Sequence, residues 1–373
     1  MTTPPAKQIP NRSPTPAAAT ARLLELCALQ GFALAGVAPA APSRWSGELR
    51  AWLDAGRHGL MDYLERDHNL RIEPGGLFPG TRSFLMVADQ YALRGDATDV
   101  DLPPGKGRIA RYARGRDYHD TMKRRLHNVA DQMRIDFPGS GFRSFVDTVP
   151  VLERELAAAC GIGWQGKNTM IINPVRGSYL LLGGAACTLD LEPPPPQRPV
   201  QDACGTCTRC IDACPTKAIT PYSVDATRCV SYLTIERRTT LDPALFPAIG
   251  EWLYGCDICQ EVCPHNSAAW SGRGSERPVG DVHHSYFPYR DSFDLLEVLG
   301  WDVDARRQAF KTTAMKRITL EMVKRNALIV AGNWLKEHDL PDLRARILAC
   351  ANDESESAMV RETALAVASE MAR

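Results

Sequence analysis

No apolar run in this 373-residue chain approaches the roughly 18 residues that cross a bilayer, which excludes a transmembrane helix. The first 17 residues, MTTPPAKQIPNRSPTPA, lack an apolar signal core and a twin-arginine pair, so a disordered tail over 1–17 and a cytoplasmic location are expected. Net charge is also missing: 44 Lys and Arg balance 44 Asp and Glu, and the chain as a whole favours no partner of either sign. The one G-x-G-x-x-G string, Gly161-Ile-Gly-Trp-Gln-Gly166, follows a predicted helix rather than a strand and so is no Rossmann fingerprint, and there is no phosphate-binding loop, which counts against nicotinamide and flavin. The motif D-x-H-x-x-G, which sets a histidine beneath cobalt, is absent as well, because Asp117-Tyr118-His119 continues as Asp120-Thr121-Met122.

Cysteine is what the chain has in abundance. Eight of the twelve lie between Cys204 and Cys263, as Cys204-x2-Cys207-x2-Cys210-x3-Cys214-Pro215, then Cys229, then Cys256-x2-Cys259-x3-Cys263-Pro264. The first run is the bacterial ferredoxin pattern, in which three cysteines hold one four-iron cluster and the fourth, before proline, reaches to another. That rule assigns Cys204, Cys207, Cys210 and Cys263 to one [4Fe-4S] cluster, and Cys214, Cys229, Cys256 and Cys259 to a second. Cys229 stands in for a close third cysteine that the second run lacks. Structural zinc favours paired C-x-x-C ligands and disulfides favour small secreted chains, so neither suits this spacing. Cys27, Cys160, Cys187 and Cys350 read as small buried hydrophobes.

At 44% hydrophobic content the chain can bury cores for two or three domains. Apolar periodicity predicts helices over Thr20–Gln30, Asp117–Phe137 and Leu152–Cys160, and strands over Phe32–Val37, Ser83–Tyr91, Phe142–Asp147, Thr169–Ile172 and Tyr179–Leu182. The alternation suggests an α/β (α+β) domain over 18–192. The proline-rich run 192–199 reads as a stiff linker into a ferredoxin-type module over 193–268, followed by an irregular connector over 269–304. From 305 to 373 the pattern is helical, and Arg325–Ala331 recurs as Glu362–Ala368 with Ala327 aligned on Ala364, as in paired-helix repeats.

Two local basic patches break the neutral balance. One runs through Lys106, Arg108, Arg111, Arg114, Arg116, Lys123, Arg124 and Arg125, the other through Arg306, Arg307, Lys311, Lys316, Arg317, Lys324 and Arg325. Together they suggest a phosphate-bearing partner on one face.

Several segments, Arg111-Tyr-Ala-Arg-Gly-Arg-Asp-Tyr-His119, Val146-Asp-Thr-Val-Pro-Val-Leu-Glu153, Gly161-Ile-Gly-Trp-Gln-Gly-Lys-Asn168, the cysteine module and Tyr254-Gly-Cys-Asp-Ile-Cys-Gln260, resemble the bacterial epoxyqueuosine reductase family from about residue 20 onward. The resemblance implies cobalamin, in a base-off state given the missing D-x-H-x-x-G, alongside two [4Fe-4S] clusters. It also implies a C-terminal HEAT-like repeat domain that binds tRNA. The reaction implied is removal of the epoxide oxygen from epoxyqueuosine at the wobble position of tRNA with a GUN anticodon, fed by an external electron donor.

Within the matching segments, Asp147 is the candidate proton donor, a role that requires burial to disfavour its ionised form. Candidates to touch cobalamin are Arg71, Tyr112, Asp147, Lys167, Asn168 and Thr169, with Ser231 after Cys229 and Asp257 after Cys256. His119, His283 and His284 read as ordinary hydrogen-bonded histidines. A corrinoid reductive dehalogenase would share the cofactors, but the absent export signal and basic helical C-terminus weigh against it. A plain electron-transfer subunit would need neither Asp147 in its context nor so large an α/β domain.

Overall fold

The structure, a computed structural model, describes residues 15–93, 101–195, 197–267 and 282–371. Strand β1 (Leu34–Pro39) pairs with β2 (Ser83–Gln90), while a further strand pairs with Lys106–Ile109 (β3) elsewhere in the fold. β4 (Phe142–Phe145) and β5 (Leu180–Cys187) complete a four-stranded sheet of order β1-β2-β5-β4. All three of its pairings are antiparallel, so the alternation of helices and strands along the chain does not make a parallel sheet here. Every residue of β2 is buried: Leu85 and Val87 face one core, and Phe84, Met86 and Ala88 the opposite one.

Helices α1 (Pro16–Leu29) and α2 (Tyr118–Asp136) cover the first face through Leu23, Cys27, Met122, Leu126 and Met133. The second face is covered by α3 (Glu153–Ala159) through Leu156 and Ala157. Thr15 caps α1 by accepting from Ala18 N at 3.2 Å, with proline in the first turn. The helix therefore starts ahead of Thr20, and residues 16 and 17 of the expected disordered tail belong to it. Residues 1–14 lie outside the described ones.

The proline-rich linker is docked rather than spaced away. Gln197 accepts from Val37 N at 3.1 Å and donates to Val37 O at 2.6 Å, satisfying backbone groups of the outer strand β1.

A second sheet, ordered β6-β3-β7, joins distant parts of the chain: β6 (Trp252–Tyr254) runs parallel to β3 and β7 (Ser292–Asp294) antiparallel to it. β7 and the short helix α4 (Leu295–Leu299) correct the irregular connector expected over 269–304; of that span, 269–281 lie outside the described residues. Beyond it come α5 (Val303–Phe310), α6 (Leu320–Trp334), α7 (Pro341–Asn352) and α8 (Ala358–Met371).

α6 is apolar almost all round and buried from Met322 to Gly332. Its Val323, Ala327 and Val330 share one core with Phe246, Leu253 and Tyr254 of the cysteine module. The two sequence copies fall on α6 and α8, and aligned Ala327 and Ala364 are both fully buried. Arg325 is buried too. Its guanidinium donates to Arg237 O (2.5 Å), Thr239 O (2.7 Å) and Leu233 O (2.7 Å), the last in helix Val230–Ile235. Neighbouring Asn326 donates to Thr234 O and Leu253 O, both at 2.9 Å. Polar groups in a core cost free energy unless bonded in this way.

Candidate active site

β4 delivers Asp147 to the sheet's edge two residues after its last strand residue, with a left-handed backbone at φ 59°. Few residues other than glycine adopt that conformation, Asp more readily than most. Glu153, the first residue of α3, accepts from Asp147 N at 2.8 Å and fixes the turn. The side chain is 58% accessible yet set deep among other groups, the signature of a carboxylate on the wall of an open recess.

His119, at the start of α2, lies with Nε2 3.2 Å from Asp147 Oδ2 and Nδ1 2.8 Å from Asp117 Oδ1. Asp117 is the helix cap, also accepting from His119 N at 3.2 Å, and Lys316 Nζ sits 3.6 Å from its other oxygen. Tyr118 stacks on the imidazole at 4.0 Å between centroids, and Tyr112 meets Tyr118 edge-on. Tyr112 donates to Tyr254 at 3.4 Å, and Tyr254 to Ala314 O at 3.0 Å.

The electrostatics correct one expectation. The His119 bond holds the Asp147 carboxyl below the usual carboxylate range although burial pulls the other way, so the acid is not poised neutral. On His119 burial opposes the charge, but the bonds to Asp117 and Asp147 win and raise its pKa to about 9. The proton sits on the imidazole. Burial, reinforced by the Asp147 charge, pushes Glu153 up to about 7. His119 and Glu153 were both inside the quoted motifs, but nothing in a sequence shows that residues 119, 147 and 153 converge. His283 behaves as expected of an ordinary histidine, capping Ser285 N at 3.2 Å, and His284 is exposed beside it.

The thiols of the cysteine module lie close enough to act on one another. Cys263 is pushed up to about 11 by burial, and the thiols acting on it are Cys204, Cys210 and Cys207. Burial also raises Cys229, Cys256 and Cys259; Cys214 acts on Cys229, Cys259 and Cys229 on Cys256, and Cys229, Cys210 and Cys214 on Cys259. Backbone N–H groups of Ser231 and Tyr232 are directed at Cys229, of Ile258 at Cys256, and of His265 at Cys263. Buried thiols stay protonated until iron replaces the proton, and N–H donors to sulfur suit a thiolate-bound cluster, so the donor set fits.

The remaining candidates divide. Arg71 is buried beside Asp147 and Glu153, which act on its charge, and its Nε has no partner among the described residues. Tyr112 faces the same recess, and Ser231 lies half-buried next to Cys229. Lys167, by contrast, spends its ammonium on Gly205 O (2.6 Å) and Cys207 O (3.1 Å), which ties it to the cysteine loop rather than to a corrin amide. Asn168 donates to Cys259 O at 3.2 Å, and Asp257 accepts from Arg111 N at 2.6 Å. Thr169 is held at φ 65° with its hydroxyl bonded to Arg154.

The basic patches are smaller than they read. Arg111, Arg114 and Arg125 are buried, Arg114 on Ile109 O and Arg125 against Asp89. Arg325 lies in the core, Lys324 pairs with Glu356 at 2.6 Å, and Arg306 donates to Lys316 O at 2.7 Å. Long basic side chains satisfy inward carbonyls and carboxylates as readily as phosphates. Arg116, Lys311, Lys316 and Arg317 stay exposed, and the backbone bond from Asp117 N to Thr312 O (2.7 Å) brings their two segments together at the Asp147 recess.

Residues 71–148 match the family model described as epoxyqueuosine reductase QueG, DUF1730, and residues 203–266 that of the 4Fe-4S double cluster binding domain. An epoxyqueuosine reductase of Pseudomonas aeruginosa is 38% identical over 309 residues, covering 81% of this chain and 82% of that one. The chain belongs to the epoxyqueuosine reductase family. Its fold is similar to that of an epoxyqueuosine reductase crystallised with an epoxyqueuosine-modified tyrosine tRNA stem loop, at TM-score 0.82 and 26% identity over 95% of this chain and 90% of that one. Epoxyqueuosine reductase from Bacillus subtilis, solved with its catalytic aspartate loop swung out of the active site, matches at TM-score 0.82 and 25% identity, over 94% and 90%. As an epoxyqueuosine reductase family member, the chain carries an iron–sulfur cluster-binding domain on a mixed α/β body. No helix among its described residues is long and apolar enough to cross a membrane.

Proposed function

We infer that this chain reduces epoxyqueuosine to queuosine at the wobble position of tRNA. The observation that carries the reading is the Asp147–His119 pair in an open recess of a chain from this family. Cys204, Cys207, Cys210 and Cys263 would hold one [4Fe-4S] cluster and Cys214, Cys229, Cys256 and Cys259 a second, and the clusters would supply single-electron transfer from an external donor. Base-off cobalamin, when bound, would supply low-valent cobalt chemistry for the two-electron reduction. Arg71, with its unpartnered Nε, Tyr112 and Ser231 are best placed to hold it, while Lys167, Asn168, Thr169 and Asp257 shape the loops behind.

Asp147 donates to the departing oxygen. Arg116, Lys311, Lys316 and Arg317 meet backbone phosphates around an unstacked base of a GUN anticodon loop, as suits single-stranded RNA recognition. Helices α6 to α8 are read as a short HEAT-like repeat, and the division at residues 18–192, 193–268, 269–304 and 305–373 as functional units, in a cytoplasmic enzyme. Reconstituted protein incubated with epoxyqueuosine-bearing tRNA and a one-electron reductant should give queuosine, seen by mass spectrometry of nucleosides as loss of one oxygen. Intact epoxyqueuosine after reduction of the clusters would refute the reading.

A further inference from the structure

Converting an epoxide to an alkene breaks both carbon–oxygen bonds, forms the carbon–carbon double bond, takes up two electrons and releases the oxygen as water. Two protons are therefore required. One carboxyl supplies one proton per ionisation, and Asp147 is held ionised in the resting structure. The inference rests on the epoxide-reducing function just given and asks where both protons come from.

Groups from every element around the recess bear on the answer. Glu153 accepts from the Asp147 backbone N–H at 2.8 Å, so that oxygen faces the main chain and not the carboxylate. Arg71 and Arg317 are cations near Asp147 that keep their protons. Tyr118 and Tyr112 are raised by burial and hold theirs. His119 Nε2 lies 3.2 Å from the Asp147 carboxylate, which Tyr118 also bonds, and its second nitrogen is on Asp117 at 2.8 Å with Lys316 beyond that; of these, the imidazolium is the group that can give up its proton. Its ring is 30% accessible, which leaves a route to water. The arrangement is a chain Asp117–His119–Asp147 that leads from the rim to the recess.

We propose that His119 holds the protons that Asp147 delivers: the imidazolium protonates Asp147, Asp147 protonates the departing oxygen, and the imidazole reloads from solvent before a second, identical transfer. The electrons come from the external donor of the established family activity, so the balance closes with water as the only by-product. His119 acts through Asp147 and is a positioning and proton-holding residue. Asp117 fixes the ring and stabilises its cationic form.

Two measurements test this. Nitrogen-detected NMR of the full chain without substrate, with the His119 signal assigned by its loss in His119→Gln, should show that ring titrating well above the ordinary 6.5, and falling by a unit or more in Asp117→Asn. In turnover, His119→Gln should keep iron content and tRNA affinity and lose about 100-fold or more in kcat, together with the alkaline limb of the pH profile. Asp117→Asn should keep that limb and move it to lower pH. An ordinary His119 titration, or a His119→Gln enzyme with wild-type rate and pH profile, would overturn the relay. A wild-type chain that left epoxyqueuosine untouched would instead overturn the function beneath it, while the NMR titration would still report on the histidine.

Discussion

Arg154 Nη1 donates both to the carbonyl of Thr169, at 2.9 Å, and to its hydroxyl, at 2.8 Å. The residue before it, Glu153, accepts from Asp147 N. Consecutive side chains at the start of one short helix thus pin two left-handed residues, φ 59° and 65°, on two different loops. For Thr, a β-branched residue, that backbone is strained and persists only because its surroundings impose it.

Asp147→Asn isolates chemistry from fold. Asn tolerates positive φ and still bonds His119, so both cysteine groups, iron content and tRNA affinity should be retained. Single-turnover rate should fall by roughly two to four orders of magnitude, the usual worth of a positioned acid. Near wild-type rates would remove Asp147 from the reaction.

Acid and alkali should loosen the Asp147 turn by different groups. His119 titrates at about 9 in the fold against an ordinary 6.5, so the stability from its imidazolium is complete below 6.5 and is lost as pH rises through 9. Asp117 and Asp147 lie below their ordinary 3.8, so their contribution is present above that value and lost on acidification. Glu153, raised from 4.5 to about 7, works against the fold as it ionises across that interval. Amide exchange of residues 146–149, corrected for its intrinsic pH dependence, should be slowest at about pH 4 to 5 and speed up towards pH 9 to 10. A flat profile would mean that these groups do not hold the turn.

Cysteine variants should sort by group. Cys263→Ala should perturb the same paramagnetic signal as Cys207→Ala, and Cys229→Ala the other, with iron content falling in each. Full iron retention in Cys229→Ala would take that residue out of the ligand set.

Exposed and buried cations should behave oppositely. Lys311→Gln with Lys316→Gln should weaken tRNA binding and flatten the log–log salt dependence by about 0.7 to 0.9 per lost phosphate contact. Arg325→Met should leave the salt slope alone. It strands the carbonyls of Leu233, Arg237 and Thr239 and should cost roughly 2 to 5 kcal/mol in chemical denaturation. An unchanged slope in the lysine pair would place RNA recognition elsewhere.

Local pattern made the elements and the cysteine module legible: α2 runs Tyr118–Asp136 against an expected Asp117–Phe137, and β2 ends one residue early. The cysteine grouping comes from the crossing rule, and the thiols that act on one another follow it for Cys263 but not for Cys259, which Cys210 of the other set also reaches. What stayed hidden is what only three-dimensional convergence sets. Arg325 counts as one more surface charge in a one-dimensional tally, yet it serves three carbonyls 86 to 92 positions away. The ionisation of Asp147 was misjudged for the same reason, since burial could be anticipated from composition but the approach of His119 could not.

The three-stranded sheet has a consequence for timing. β3 runs on into Arg111 and Tyr112 of the recess, while its parallel neighbour β6 ends two residues before Cys256. Ladder bonds from Arg108 N to Glu251 O (2.7 Å) and Ala110 N to Tyr254 O (2.9 Å) thus fix the spacing between the Cys256 loop and Tyr112. Under the proposed function that spacing is set at folding, so reduction of the clusters by an added donor should run equally fast with RNA present or absent.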